Sequence, residues 1–238
     1  MLVYLEPTIS ENSECPYINT EKYKQRYAVL KDLDTVEFDF MLHNGWRHFG
    51  YYFFMPNCDN CNKCIPIRTL VNDFTPTKSQ KRNLKKNDSV IEVSFEKPEF
   101  TKEIYEIYSK HSLIKFNQKT EEKDFIESFF SDALKGNSLL SLYRIENKLV
   151  GVGFLDISET GLSSVYFCYD PQYSKMGLGV YSVLKEIEYS KNMGKDYYYL
   201  GYYVKGNQSM EYKASYTPSE ILDWDKAQWV PFISDHTV

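Results

Sequence analysis

The segment from residue 139 to residue 204 leaves this chain few folding options. Three apolar runs, Leu139 to Ile145, Leu149 to Ile157 and Leu162 to Tyr169, follow one another at hairpin spacing. Glu146-Asn147-Lys148 and a turn at Glu159-Thr160-Gly161 join them. Asp170-Pro171 and Lys175-Met176-Gly177-Leu178-Gly179 come next, then a stretch whose Val180, Leu184 and Ile187 give a helix its buried face, ended by Gly194. A strongly aromatic run, Tyr197 to Val204, closes the segment and carries Gly201 inside it. A glycine turn that opens a helix leaves backbone N–H groups free to hold a phosphate or carbonyl oxygen.

Three meandering strands, a glycine turn, a helix and a returning parallel strand resemble the layout of the N-acetyltransferase (GNAT) fold. Upstream, Leu2 to Leu5 reads as extended, and the mixed periodicity of Glu21 to Phe40 gives no assignment. Gly45-Trp46-Arg47 reads as a turn, with strands over Phe49 to Met55, Ile65 to Val71 and Val90 to Phe95. Pro76 opens a helix that runs through Lys86. Beyond Pro98, Ile104, Ile107, Tyr108 and His111 fall at helical spacing, as do Phe125, Phe129 and Ala133 behind the cap candidate Thr120. The expected class is α+β, a GNAT-like mixed sheet with flanking helices plus an N-terminal part stapled by a cysteine metal site. The expected division places the cysteine-site and basic-helix region in 1–98 and the transferase-like region in 99–238.

Cys58, Cys61 and Cys64 form a C-x2-C-x2-C run. Two thiolates at this spacing can bind one ion, because a tight turn brings both sulfurs to one side of the backbone. Cys15 is the natural fourth ligand; Cys168 lies mid-strand, where a buried small hydrophobe is the better reading. Zinc and a [4Fe–4S] cluster both accept four thiolates, so the metal stays open. Residues 58 to 87 also hold seven basic side chains against two acidic ones, in a chain of net charge −5. Lys78, Lys81, Arg82 and Lys85 fall at i, i+3, i+4 and i+7, with Lys86 beside them, so one helix face is cationic and suited to tracking a phosphate backbone. The acidic total argues against wholesale nucleic-acid binding but leaves room for such a local stripe. No apolar run is long enough to span a bilayer, and the N-terminus does not read as a secretory leader. A cytoplasmic protein with reduced thiols is expected.

The run from Ile67-Arg68 through Phe74, followed by Lys78-Ser79-Gln80-Lys81-Arg82, resembles the arginyl- and leucyl-tRNA–protein transferases. So do FLDI at 154–157, LSSVYFCYDP at 162–171, LGVYSVLKEIE at 178–188, YYYLGYYV at 197–204 and MEYKASYTP at 210–218. The C-x2-C-x2-C arrangement and the short length resemble the bacterial branch. The resemblance implies transfer of an amino acid from aminoacyl-tRNA to the α-amine of a protein beginning with Asp or Glu, creating a degradation signal. It also implies a zinc or iron–sulfur site at the cysteines. The basic or Gln residue that acetyltransferases place before their glycine turn is here Ser174-Lys175, so coenzyme A is not expected. Leucine is the favoured donor on the bacterial likeness, with arginine as the alternative. An acetyl-CoA-dependent GNAT enzyme and a non-catalytic, metal-stapled RNA-binding module are the more distant readings.

The donor ester is already activated and a peptide α-amine has a pKa of about 8, so positioning and oxyanion stabilisation would suffice for catalysis. Asp156 as weak base and Tyr202 as donor are the catalytic candidates. Arg68, Lys78, Ser79, Tyr166, Tyr169 and Lys213 are the substrate-binding candidates, with Arg68 and Lys78 supplying a pocket for the acceptor carboxylate. Arg68 interrupts an apolar strand, so it can equally pair with a structural carboxylate. Lys81, Arg82, Lys85 and Lys86 are the tRNA-binding candidates, and a monomer away from membranes is expected. His111 reads as a structural histidine.

Overall fold

A computed structural model describes residues 1–233. Along the chain, β1 (Leu2–Ile9), the short pair β2 (Ser13–Glu14) and β3 (Lys22–Tyr23), and β4 (Gln25–Lys31) lead into α1 (Thr35–His43). A capping box between Asp34 and Glu37 starts that helix. A hairpin follows, β5 (Arg47–Phe49) and β6 (Tyr52–Pro56), then β7 (Ile65–Leu70), α2 (Lys78–Asn87) and β8 (Glu92–Glu96). Thr77 and Gln80 form the capping box of α2, just after Pro76. Next come α3 (Lys102–Phe116), α4 (Glu122–Phe129) and the meander β9 (Ser138–Ile145), β10 (Lys148–Ile157) and β11 (Gly161–Tyr169). A 3-10 turn over Pro171–Met176, α5 (Leu178–Asn192) and β12 (Tyr197–Tyr203) complete the segment from 139 to 204. The described residues close with α6 (Gln208–Glu211), a 3-10 turn over Tyr212–Ser215, β13 (Ser219–Asp223) and β14 (Gln228–Pro231).

Eight strands form one mixed sheet in the order β14-β13-β7-β12-β11-β10-β9-β8. Among the described residues β11 and β12 are its one parallel pair, as a strand–helix–strand crossover through α5 requires. A second sheet, β1-β4-β6-β5, shares no strand pairing with it. Successive residues of β12 face opposite ways. Tyr199 joins Leu30, Phe38, Leu42 and Phe53 of the small sheet and α1, whereas Tyr198 and Leu200 join Val183, Leu184 and Ile187 of α5. The architecture is α+β, a large mixed sheet with flanking helices. β7 and β8, from the first hundred residues, are strands of that same sheet.

Four details depart from the sequence reading, and one is Val180, expected on the buried face of α5 but exposed. The expected strand over Phe49–Met55 is a hairpin that turns at Gly50, which holds φ +52 and whose Cβ would lie 2.2 Å from the Glu127 carbonyl oxygen. Only glycine fits there. Thr120 does not cap α4: Glu121 is the N-cap, and the Thr120 hydroxyl faces the Tyr108 phenol at 3.2 Å. The unassigned stretch Glu21–Phe40 resolves into β3, β4 and α1. No described helix is long and apolar enough to cross a membrane.

Candidate functional site: a cleft where two strands part

The parallel pairing of β11 with β12 runs only from Gly161, Leu162 and Ser163 to Tyr197, Tyr198 and Tyr199. Past that point each strand carries an irregularity. β11 shifts register against β10 between Ser164 and Tyr166, and β12 shifts against β7 between Tyr199 and Gly201. Bulges bend strands and increase local twist, so the two strands part. Gly201 sits at φ +88, a left-handed conformation that glycine supplies without strain. The gap is a cleft of about 130 Å³. Its floor is Ser163, Ser164 and Val165 of β11 with Leu200, Gly201 and Tyr202 of β12. Arg47, His48, Phe49 and Phe54 of the hairpin, Tyr17, Met210 and Lys213 close over it.

Two cations enter this cleft. A guanidinium N–H of Arg47 donates to the Ser164 carbonyl, and Lys213 Nζ donates to the Tyr202 carbonyl at 2.9 Å. Both converge on Gly201: a Cβ there would lie 3.4 Å from Lys213 Nζ and 3.9 Å from Arg47 Nε and Nη2. Among the described residues neither cation has a carboxylate within ion-pair distance. Burial first, then the Arg47 charge, pushes the Lys213 ammonium down to about 7. Burial likewise lowers Arg47, although a guanidinium stays charged.

Asp156 lies buried at the edge of the cleft. Its Oδ2 meets His48 Nε2 at 2.8 Å, and its Oδ1 accepts from Ser138 Oγ at 2.6 Å. His48 Nδ1 in turn faces the Gly50 carbonyl at 2.9 Å, and Phe53 stacks on the ring at 4.6 Å between centroids. Both ring nitrogens thus face protein oxygens, which fixes the orientation of the imidazole. The imidazole, which lines the cleft, stands between Asp156 and the open space.

The other sequence candidates scatter. Tyr202 lines the cleft, but its phenol donates to the Gly45 carbonyl at 2.8 Å, so its proton is already engaged. Arg68 has its structural carboxylate: Nε and Nη2 bind Glu220 Oε2 at 2.9 and 2.7 Å. The reading of Arg68 as a free receptor is corrected by β13, a strand that the sequence reading leaves unassigned. Tyr166 packs against Tyr108, Phe129 and His111, and Tyr169 packs on His111, away from the cleft floor. His111 is buried, accepts the Tyr169 N–H, and is lowered by that burial. Lys78 and Ser79 are exposed in the first turn of α2, and Lys81, Arg82, Lys85 and Lys86 are exposed along it. Lys86 donates to the Lys175 carbonyl, while Asn83 and Asn87 donate to the carbonyls of Met176 and Gly177, so α2 lies across the glycine turn.

Cys15, Cys58 and Cys61 are half-buried and Cys64 is buried. Cys58 Sγ accepts the Lys24 N–H at 3.4 Å. Burial, then the neighbouring Cys15, Cys58 and Cys61 thiols, pushes Cys64 up to about 12. Cys58 is likewise raised, by burial and then by its neighbours, and in type the four thiols are a donor set that fits zinc or an iron–sulfur cluster. As placed, no three or more His, Cys, Asp or Glu side chains among the described residues stand ready to hold an ion. Cys168 is fully buried on β11, as read from the sequence.

Arg47 and His48 are not among the sequence candidates, since the first reads there only as a turn residue. The available signal is Gly201 inside an aromatic strand, which marks a bulge or a close approach by another group.

Residues 13–82 match the family described as arginine-tRNA-protein transferase, N terminus, and residues 101–223 match its C terminus. A protein of Campylobacter jejuni named aspartate/glutamate leucyltransferase is 36% identical over 218 residues, which cover 90% of this chain and 91% of that one. A protein of the same name from Helicobacter hepaticus is 35% identical, with 90% of each chain covered. Among solved structures, a conserved protein of unknown function from Bacteroides thetaiotaomicron superposes with a TM-score of 0.50 at 13% identity. That superposition covers 66% of this chain and 57% of the other.

Proposed function

We propose a catalytic reading on one premise: this chain belongs to the arginine-tRNA-protein transferase family. It is an aminoacyltransferase that moves leucine from leucyl-tRNA to the α-amine of proteins beginning with Asp or Glu. The cleft between β11 and β12 is the reaction site, in a GNAT-like arrangement of meander, helix and parallel strand. The observation that carries this assignment is the parting of that one parallel pair in mid-sheet, beneath the hairpin that brings Arg47 and His48. The walls suit leucine: Leu42, Phe49, Phe54, Leu200 and Met210 are apolar, and no Asp or Glu among the described residues lines the cleft. An arginyl side chain would meet two cations there and no counter-charge.

Chemistry in this cleft needs little. The neutral α-amine attacks the ester carbonyl, the C–O bond to the tRNA breaks, and the ribose oxygen leaves with a proton. Holding amine and carbonyl together supplies most of the acceleration. The His48–Asp156 pair, whose imidazole lines the cleft, fixes that wall, and the amine's proton passes to the departing ribose oxygen. On the opposite face, Lys78, Lys81, Arg82 and Lys85 form an exposed stripe without ion-pair partners among the described residues, suited to tRNA phosphates. Cys15, Cys58, Cys61 and Cys64 would hold zinc or a [4Fe–4S] cluster. It would brace the wall that carries Tyr17, since Cys64, Tyr202 and Tyr17 share one apolar cluster. The added leucine then marks the acceptor for degradation.

The test mixes purified protein with leucyl- or arginyl-tRNA and with peptides beginning with Asp, Glu, Lys or Ala, and weighs the products. Leucine appears on the Asp and Glu peptides only. Transfer of arginine without leucine would contradict the donor assignment, and no transfer at all would contradict the reaction.

A further inference from the structure

We infer that Arg47 and Lys213 together form a receptor for one carboxylate, the side chain of the acceptor's N-terminal Asp or Glu. This rests on the transferase reading, because that reading supplies an acidic residue beside the reacting amine. The convergence itself does not. Two cations approach one point above Gly201, within 3.4 Å for Lys213 Nζ and 3.9 Å for Arg47 Nε and Nη2 of an added Cβ. That space is kept open by a residue with no side chain. Lys213 is only 8% exposed, and its remaining contacts are the Tyr202 carbonyl and the Met210 sulfur at 3.6 Å.

Such an arrangement is unfavourable by itself. Two like charges repel, and a buried ammonium without a counter-ion costs more than its hydrogen bond to a carbonyl returns. One carboxylate resolves both problems: it neutralises the pair and accepts from a planar guanidinium and an ammonium at once. Asp156, whose charge acts on Arg47 from a distance, is held by His48 and Ser138 and forms no ion pair with either cation. Of Arg47's five N–H donors only one has a partner among the described residues, the Ser164 carbonyl. A phosphodiester fits this place poorly, since it is walled by Leu42, Phe54 and Leu200. The exposed stripe of α2 offers phosphates a solvated track instead.

The test compares kcat/KM of leucyl transfer to otherwise identical peptides beginning with Asp or Asn. Lys213→Met and Arg47→Met each lower the Asp rate by about 100-fold or more, the range for truncating one partner of a buried charge pair. The Asn rate changes far less, so the preference for Asp collapses. Thermal stability stays level or rises, because an uncompensated buried charge is replaced by an apolar chain of similar volume. Lys213→Arg keeps the charge and retains part of the preference. An unchanged Asp-to-Asn ratio in both Met variants overturns the receptor. A second measurement needs neither variants nor turnover: in tRNA-free wild-type protein, the Asp peptide shifts the side-chain nitrogen resonances of Lys213 and Arg47 and the Asn peptide does not. Equal shifts from both peptides, or none, overturn the receptor. Absence of leucyl transfer by wild-type protein, with the Asp-specific shifts intact, refutes the transferase reading alone.

Discussion

Arg47 and Arg68 are two arginines on short strands of different sheets, β5 and β7, and the protein treats them oppositely. Arg68 on β7 is saturated. Glu220 takes Nε and Nη2, Nη1 reaches the Tyr199 phenol at 3.1 Å and His43 Nε2 at 3.0 Å, and the rings of Tyr197 and Trp229 lie 3.5 and 4.2 Å from its central carbon. Arg47 on β5 has one carbonyl and a second cation for company. A buried cation that owns a carboxylate, a phenol and two stacked rings is architecture: it ties β7, β12 and β13 together. One that lacks a carboxylate is incomplete until something brings one.

The largest effect expected from disturbing either arginine falls on stability. Glu220→Gln leaves Arg68 buried without a counter-charge. Losing one partner of a buried pair costs about 3–5 kcal/mol, and the one-fifth exposure of Glu220 places this pair lower, at about 2–4 kcal/mol. Chemical denaturation should show that loss with peptide selectivity preserved. A loss under about 0.5 kcal/mol, the size of a surface change, would mean that Arg68 does not depend on its carboxylate.

Glu186 makes the same contrast with the sign reversed. This buried anion on α5 has hydroxyl donors alone, from Ser141 at 2.8 Å, Tyr143 at 3.4 Å and Tyr198. Burial raises its carboxyl to about 7, and the three hydroxyls oppose that rise. The folded pKa therefore exceeds the unfolded one, and the native state binds the extra proton between about pH 4.5 and 7. From this group, stability falls as pH climbs through that window and levels off above it. Glu186→Gln should flatten that fall in a series of denaturation curves. A wild-type curve with no difference from the variant across the window would remove the effect.

The smallest effect on stability, and a clear one on binding, belongs to the exposed charges. Replacing Lys81, Arg82 and Lys85 together by alanine should change folding by no more than about 0.5 kcal/mol per site. The slope of log affinity for tRNA against log salt should flatten by up to about one unit for each phosphate that is no longer neutralised. An unchanged slope would return these residues to an ordinary solvated surface.

Much of the fold is legible in the sequence because its signals are local. The meander, the Gly177 turn, α5 and the parallel return of β12 follow from hairpin spacing, glycine and helical period, and the basic face of α2 follows from its own spacing. The site is legible only in part. Asp156, Tyr202 and Lys213 stand out in the sequence and all lie in or beside the cleft, but the two that matter to each other, Arg47 and Lys213, lie 166 positions apart in the chain. Nothing in a sequence says that a turn arginine and a lysine after α6 meet over one glycine. The same blindness sends Arg68 to the substrate: its carboxylate is on β13, a five-residue strand of mixed polarity that carries no strong period. The proximity of the four cysteines, by contrast, follows for three of them from a two-residue spacing.

The separation between structural and receptive cations stands or falls on one paired measurement. Arg47→Met and Glu220→Gln proteins would be compared side by side for denaturation midpoint and for the ratio of kcat/KM between Asp and Asn peptides. Glu220→Gln should unfold earlier with its Asp preference intact, while Arg47→Met should be as stable as wild type and have lost that preference. An Arg47→Met protein that keeps full preference for Asp, or a Glu220→Gln protein that loses it without losing stability, would contradict the separation.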